Sequence, residues 1–188
     1  MPSEDTIERI VAFAGKLHGI DPQVLREGLE VARLHHQVER VVEEHLAHWG
    51  VTARQFEIME SLYHKPDGTM TPAALSEEVG LTRSAMTNAL DCLAGNGHIV
   101  RMPHPTDRRM VSICLTPSGR KFIGQRLPER YQQFHRIVTS LSKKQRVIYL
   151  ETNRMVLDLL TREMAEHRRR EAGSARPAPP VVPGVEGF

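Results

Sequence analysis

The stretch Thr71–Gly119, TPAALSEEVGLTRSAMTNALDCLAGNGHIVRMPHPTDRRMVSICLTPSG, constrains this chain more than any other. It reads as helix, tight turn, helix, strand, arginine-bearing loop, strand. Pro72 suits the first turn of a helix, where a missing N–H costs nothing. Ala73, Ala74, Leu75 and Val79 give that short helix its apolar contacts, and Gly80 supplies the positive φ that a sharp stop needs. Thr82 is the expected N-cap of the next helix, because its hydroxyl can accept from an otherwise orphaned N–H. In that second helix Ala85, Ala89, Leu90 and Leu93 are expected to face inward. Arg83, Ser84, Thr87, Asn88 and Asp91 are left facing out.

The outward set is unlike an ordinary solvated face, which carries Glu and Lys in helix-supporting pairs. Small polar residues let a helix approach a nucleic-acid groove, and Arg, Asn, Ser and Thr can hydrogen-bond base edges or phosphates. A packed helix pair with no nucleic-acid role is the competing reading of these two helices alone. The next segment favours the first reading. Ile99, Val100 and Met102, then Val111, Ile113 and Leu115, form two short apolar runs that read as antiparallel strands. Pro103 and Pro105 place the intervening residues in a loop or at a sheet edge. Adjacent Arg108 and Arg109 at a hairpin tip are poorly explained by packing but suit phosphate or minor-groove contact. Asp107 is expected to pair with an arginine and hold the loop's shape.

The run LTRSAMTNALDCLAGNGHIVR followed by DRRMVSICLTPSGRKF resembles the MarR-type winged helix-turn-helix transcriptional regulators. The likeness covers about Val31 to Glu166. Two departures stand out: Gly95-Asn96-Gly97 replaces the more usual charged residues, which predicts an early helix end, and the segment before Val31 exceeds the family minimum. The resemblance implies that Arg83, Ser84, Thr87 and Asn88 read the major groove. It also implies that Arg109, braced by Asp107, enters the minor groove while Arg108 meets phosphate. In proteins of this kind small aromatic acids or phenolic compounds bind between the dimerisation helices and the winged domain. Matching positions here draw on His35, Trp49, Phe56, Met59, Tyr63 and Arg101, the last as partner for a carboxylate.

The fold class expected is therefore mainly α with a small β-hairpin wing, flanked by N- and C-terminal dimerisation helices. The expected divisions are an extension helix in 1–20, dimerisation and core helices in 21–65 and the winged unit in 66–117. C-terminal dimerisation helices in 118–170 and a disordered tail in 171–188 complete the order. The tail follows from its Pro, Gly, Val and Ala content. A lone winged domain needs far fewer than 188 residues, so the flanking helices must bury their apolar faces elsewhere. The expected answer is a two-fold homodimer, with an intrachain bundle as the alternative. Two recognition helices about 34–36 Å apart then predict a pseudo-palindromic site.

Charge distribution agrees. Residues 1–60 carry 6 basic and 11 acidic side chains, whereas 71–126 carry 7 basic and 4 acidic, so the basic middle suits a DNA face. Two cysteines make no disulfide framework, and no leader or membrane-spanning run is evident, which predicts a cytoplasmic protein without a membrane partner. Of the ten histidines, His45 and His48 have the i, i+3 spacing of two metal ligands, but no H-E-x-x-H pair and no cysteine cluster accompanies them. Cys92 and Cys114 are expected in the core, as small hydrophobes. Neither an enzyme's nucleophile elbow nor a phosphate-binding glycine loop is present. No metal or cofactor is expected. The function expected is a DNA-binding regulator, a repressor released by a small aromatic or phenolic acid. The alternatives are a metal- or redox-responsive regulator of the same fold, or a winged-helix protein-interaction module.

Overall fold

A computed structural model describes residues 3–104 and 110–174 of the chain. Its elements run α1 Glu4–Ala14, α2 Pro22–Ala47, α3 Ala53–His64, β1 Thr69–Met70, α4 Pro72–Val79, α5 Arg83–Gly95, β2 Ile99–Pro103, β3 Val111–Leu115, α6 Pro117–Thr139 and α7 Lys143–Ser174. Each helix start is fixed by a side chain that satisfies an orphaned N–H. Ser3 accepts from Thr6, Asp21 from Gln23 and Val24. Thr52 and Gln55 form a reciprocal capping box on α3, and Ser142 with Gln145 does the same at α7.

The three strands form one antiparallel sheet in the order β1-β3-β2. Val100 faces Cys114, Arg101 faces Ile113 and Met102 faces Ser112 across the β2–β3 pair. The third strand, β1, is not expected from the sequence; Thr69 and Met70 pair with Cys114 and Ile113. This converts the wing from a bare hairpin into a sheet anchored just ahead of α4.

The chain divides into two compact units, the first ending at Glu129 and the second beginning at Arg130, so the division falls inside α6. In the first unit one core joins Leu46, Phe56, Ile58, Met59 and Leu62 to Leu75 and Val79 of α4. Met86, Leu90 and Leu93 of α5, Ile99 and Ile113 of the sheet and Ile123 and Leu127 of α6 complete it. Met86 takes a place the sequence reading gave to smaller neighbours, and Ala73, expected to pack, is exposed. In the second unit α7 buries none of its described side chains. It runs to Ser174, so residues 171–174, expected in the tail, are helical; the rest of that expected tail lies outside the described residues. No helix among the described residues is long and apolar enough to cross a membrane.

Candidate nucleic-acid interface

Two short helices and a turn create the outward face. Thr71 caps α4 through the Ala74 N–H and Pro72 fills its first turn. Gly80 ends α4 at φ 69°, a left-handed conformation that costs a side-chain-bearing residue about 1–2 kcal/mol. The turn then closes by the Leu81 N–H donating to the Ser76 carbonyl. Thr82 caps α5 by accepting from the Ala85 N–H at 3.3 Å. Met86, Leu90 and Leu93, spaced i, i+4 and i+7, are buried. That phase leaves Arg83, Ser84, Thr87, Asn88 and Asp91 exposed along one stripe, as a helix of 3.6 residues per turn requires. The Thr87 hydroxyl donates to the Arg83 carbonyl at 2.9 Å, and the Ser84 and Thr82 hydroxyls lie 3.2 Å apart. An open groove of about 970 Å³ runs between α4, α5 and the start of β3, with Ser76, Arg83, Thr87 and Met110 among its walls.

The end of α5 is fastened to the start of α6. Asn96 closes the helix and Gly97 follows at φ 71°, so the glycine run of the sequence is where α5 stops. Thr116 Oγ1 donates to the Gly97 carbonyl at 2.6 Å and Ser118 Oγ to the same oxygen at 2.9 Å. The Thr116 N–H donates to the His98 carbonyl. At Gly119 an added Cβ would stand 1.9 Å from that carbonyl oxygen, so only glycine allows the helix this close to the strand. The root of the β2–β3 hairpin is therefore fixed against the end of α5. The hairpin's tip, with Asp107, Arg108 and Arg109, lies outside the described residues.

Comparison with known proteins agrees with this geometry. The family profile described as MarR family matches residues 51–111. The multiple antibiotic resistance protein MarR of Escherichia coli K12 is 31% identical over 100 residues, which is 51% of this chain and 68% of that protein. The chain belongs to the MarR family. It is a transcriptional regulator that binds DNA, and not an enzyme. The transcriptional repressor YetL of Bacillus subtilis 168 is 26% identical over 155 residues, 82% of this chain and 91% of that one. Among solved structures, the Staphylococcus aureus MepR–DNA complex shares the fold with a TM-score of 0.57 at 20% identity, covering 74% of this chain and 96% of MepR.

The six residues that the MarR resemblance nominates for an effector are distributed over separate parts of the first unit. Phe56 and Met59 are buried in the core, and His35 is exposed on α2. Tyr63 lies beneath the Arg120 guanidinium, 5.4 Å from its ring centre. Arg101 is paired to Asp91 on α5 at 2.7 Å, so a carboxylate ligand would have to displace an existing one. Trp49 is the member with a ring-lined setting, and of the residues nominated with it only Phe56 is a described ring neighbour. It packs against Phe56 at 5.7 Å and edge-on to His45 at 5.0 Å. Arg126 lies 5.3 Å over its ring and 5.9 Å over that of Phe122, and Phe122 stacks on His98 at 4.7 Å. His45 Nε2 and His98 Nδ1 are buried without a hydrogen-bond partner among the described residues. Sequence reasoning missed Phe122, Arg126 and His98. The available signal was the four-residue spacing of Phe122 and Arg126 on α6, which puts that pair on one helix face.

The metal and redox alternatives gain no support from placement. His48 Nδ1 is engaged with the Glu44 carbonyl at 2.7 Å, and among the described residues no three His, Cys, Asp or Glu side chains converge as a metal site needs. Cys92 is exposed on α5, which corrects the expectation that it packs inward. Cys114 is half-buried in β3; burial, and secondarily the charge of Asp67, raise its thiol pKa above the usual value, which disfavours the reactive thiolate.

Proposed function

We propose that this MarR-family regulator is a homodimeric repressor that grips a pseudo-palindromic operator and is released by a small aromatic or phenolic acid. The observation that carries the DNA-reading assignment is the exposed stripe Arg83, Ser84, Thr87 and Asn88 on α5, opposite its buried face. These four read the major groove; Arg109, braced by Asp107, enters the minor groove and Arg108 meets phosphate. The dimer is supported by the apolar face of α7, where Val147, Leu150, Leu157, Leu160 and Met164 are exposed. The sign of regulation is supported by the likeness to YetL, a repressor.

The effector reading is supported by the ring cluster at Trp49. Flat apolar rings suit an aromatic ligand, the Arg126 guanidinium suits its carboxylate, and the two unpartnered histidine nitrogens offer hydrogen bonds. Release follows if the acid binds more tightly to a dimer whose recognition helices are wrongly spaced, because a ligand shifts an equilibrium by its differential affinity.

The test is titration of the full chain onto a duplex selected by the wild-type protein from a randomised pool, at two salt concentrations and with a panel of aromatic acids. Binding is expected to fall steeply with salt, by a slope near 0.9 per phosphate contact. Arg83→Ala and Arg109→Ala are expected to weaken it about tenfold or more each, and one acid to release it. Arg126→Ala is expected to abolish release while leaving binding intact. A duplex bound equally well by Arg83→Ala would overturn the reading of α5, and indifference to every acid would overturn the effector class.

A further inference from the structure

The outward stripe of α5 ends in a carboxylate, and a carboxylate is the wrong charge for a surface that meets phosphate. Asp91 is exposed, one turn beyond Thr87 and Asn88. Unscreened, its charge opposes the phosphate backbone over distances up to the Debye length, about 8 Å at physiological salt. The chain sets a cation against it from a different element. Arg101 Nη2 of β2 lies 2.7 Å from Asp91 Oδ1. The strand fixes that reach, because Ile99 and Arg101 share one face of β2 by the two-residue alternation and Ile99 is buried. Arg101 thus stands at the outer border of the core face, directly where the end of α5 passes. Many other ion pairs in the described residues join positions three or four apart on one helix, as Arg33–Glu30 and Arg162–Asp158 do. The Asp91–Arg101 pair instead ties the recognition helix to the wing.

Stability does not explain this arrangement. The two side chains are 55% and 42% exposed, and ion pairs so accessible to water contribute little to folding. Binding explains it better. We infer that Arg101 is a positioning residue for operator recognition, acting through Asp91: it neutralises the carboxylate at the end of the reading helix and holds the wing strand at a fixed angle to that helix. Without Arg101 the helix presents a bare negative charge to DNA and loses its tie to β2. Without Asp91 the first of these two costs disappears. The inference rests on the operator-reading assignment of α5, and it predicts that the two residues are coupled in DNA binding and nearly silent in folding.

A double-mutant cycle on the full-length protein tests it. Affinity for the selected duplex is measured across a salt series for wild type, Arg101→Ala, Asp91→Asn and the double variant, with thermal unfolding of each. Arg101→Ala is expected to weaken binding about tenfold in the wild-type background but no more than about twofold once Asp91 is Asn, with unfolding midpoints nearly unchanged. Arg101→Lys, which keeps the charge, is expected to retain most of the affinity, and Arg101→Gln replaces Arg101→Ala if that variant does not fold. An equal loss in both backgrounds, with the salt slope reduced by about one, would mean that Arg101 holds a phosphate directly and would overturn the inference. So would no loss in either. Failure of the wild type to prefer its selected duplex over a scrambled one would instead remove the operator reading and this inference with it, so the two failures are distinguishable.

Discussion

Helices α3 and α7 both carry apolar residues at helical spacing and meet opposite fates. In its 12 residues α3 buries Gln55, Phe56, Ile58, Met59 and Leu62. In its 32 residues α7 buries none of the described side chains, and Val147, Ile148, Leu150, Met155, Leu159 and Leu160 all stay accessible. Most helical stability in proteins comes from packing an apolar face, so α3 is held by its own unit while α7 requires cover. Helix α2 lies between these extremes. It buries Leu46 at its end, yet leaves Val24, Val31, Leu34, Val38 and Val41 exposed. The lesson is that one part of this molecule is stabilised by contacts within the first unit, and the other is the part that the proposed dimer would cover.

The strongest way to break that comparison is in α7. Leu157→Glu with Leu160→Glu is expected to raise the dissociation constant of the proposed dimer about 100-fold or more, since each buried leucine contributes about 1.5–3 kcal/mol. Sedimentation velocity over a concentration series reads this directly. A variant that stays dimeric at wild-type concentrations would show that α7 finds its cover elsewhere.

A second change sharpens the contrast from the other side. Leu62→Ala is expected to cost about 2–5 kcal/mol, and Gly119→Ala about 3 kcal/mol, because its Cβ meets the backbone oxygen of His98 rather than a side chain that can move. Both losses, measured by denaturant unfolding, should be independent of protein concentration, whereas those of α7 variants should not be.

The smallest expected effect is at Asp67. The Thr69 N–H donates to its carboxylate at 3.2 Å and holds its pKa below the ordinary value. A group whose folded pKa is depressed contributes stability that is complete above its unfolded pKa, near 3.9, and lost as pH falls through the lower folded value. Asp67→Asn should therefore cost a little at pH 7 and progressively less as the pH falls below about 4. A cost that persists unchanged in acid would assign it to the turn's shape rather than to the charge.

The winged unit was legible because its signals are local. Pro72, Gly80 and Thr82 mark the turn within eleven residues of one another, and Leu75, Val79, Leu90 and Leu93 repeat at helical spacing. Strand β1 was not legible, because two residues carry no period and only pairing with β3 defines it. Cys92 was misjudged for a reason the helix itself supplies. It lies two residues past buried Leu90, about 200° around the axis, and so points away from the core. The nominated effector residues illustrate a different limit. Phe56 and Met59 look like any aromatic and soft side chain near a ligand, but α4, α5 and α6 close over them, and no spacing along α3 announces that. Arg101 reads in the sequence as a partner for a carboxylate, and the carboxylate it meets in the structure is Asp91 of the same chain.

One hydrogen bond on α5 limits what the operator can look like. The Thr87 hydroxyl has already given its proton to the Arg83 carbonyl. In the proposed reading it faces the groove as an acceptor with a methyl group beside it. The groove's donors are the amino groups of adenine and cytosine, its methyl belongs to thymine, and guanine offers only acceptors there. Thr87 therefore has nothing to give a guanine, and the base it touches should be one that carries an amino group or a methyl: adenine, cytosine or thymine. A guanine under this stripe is then left to the donors beside Thr87, which are Arg83, Asn88 and the Ser84 hydroxyl.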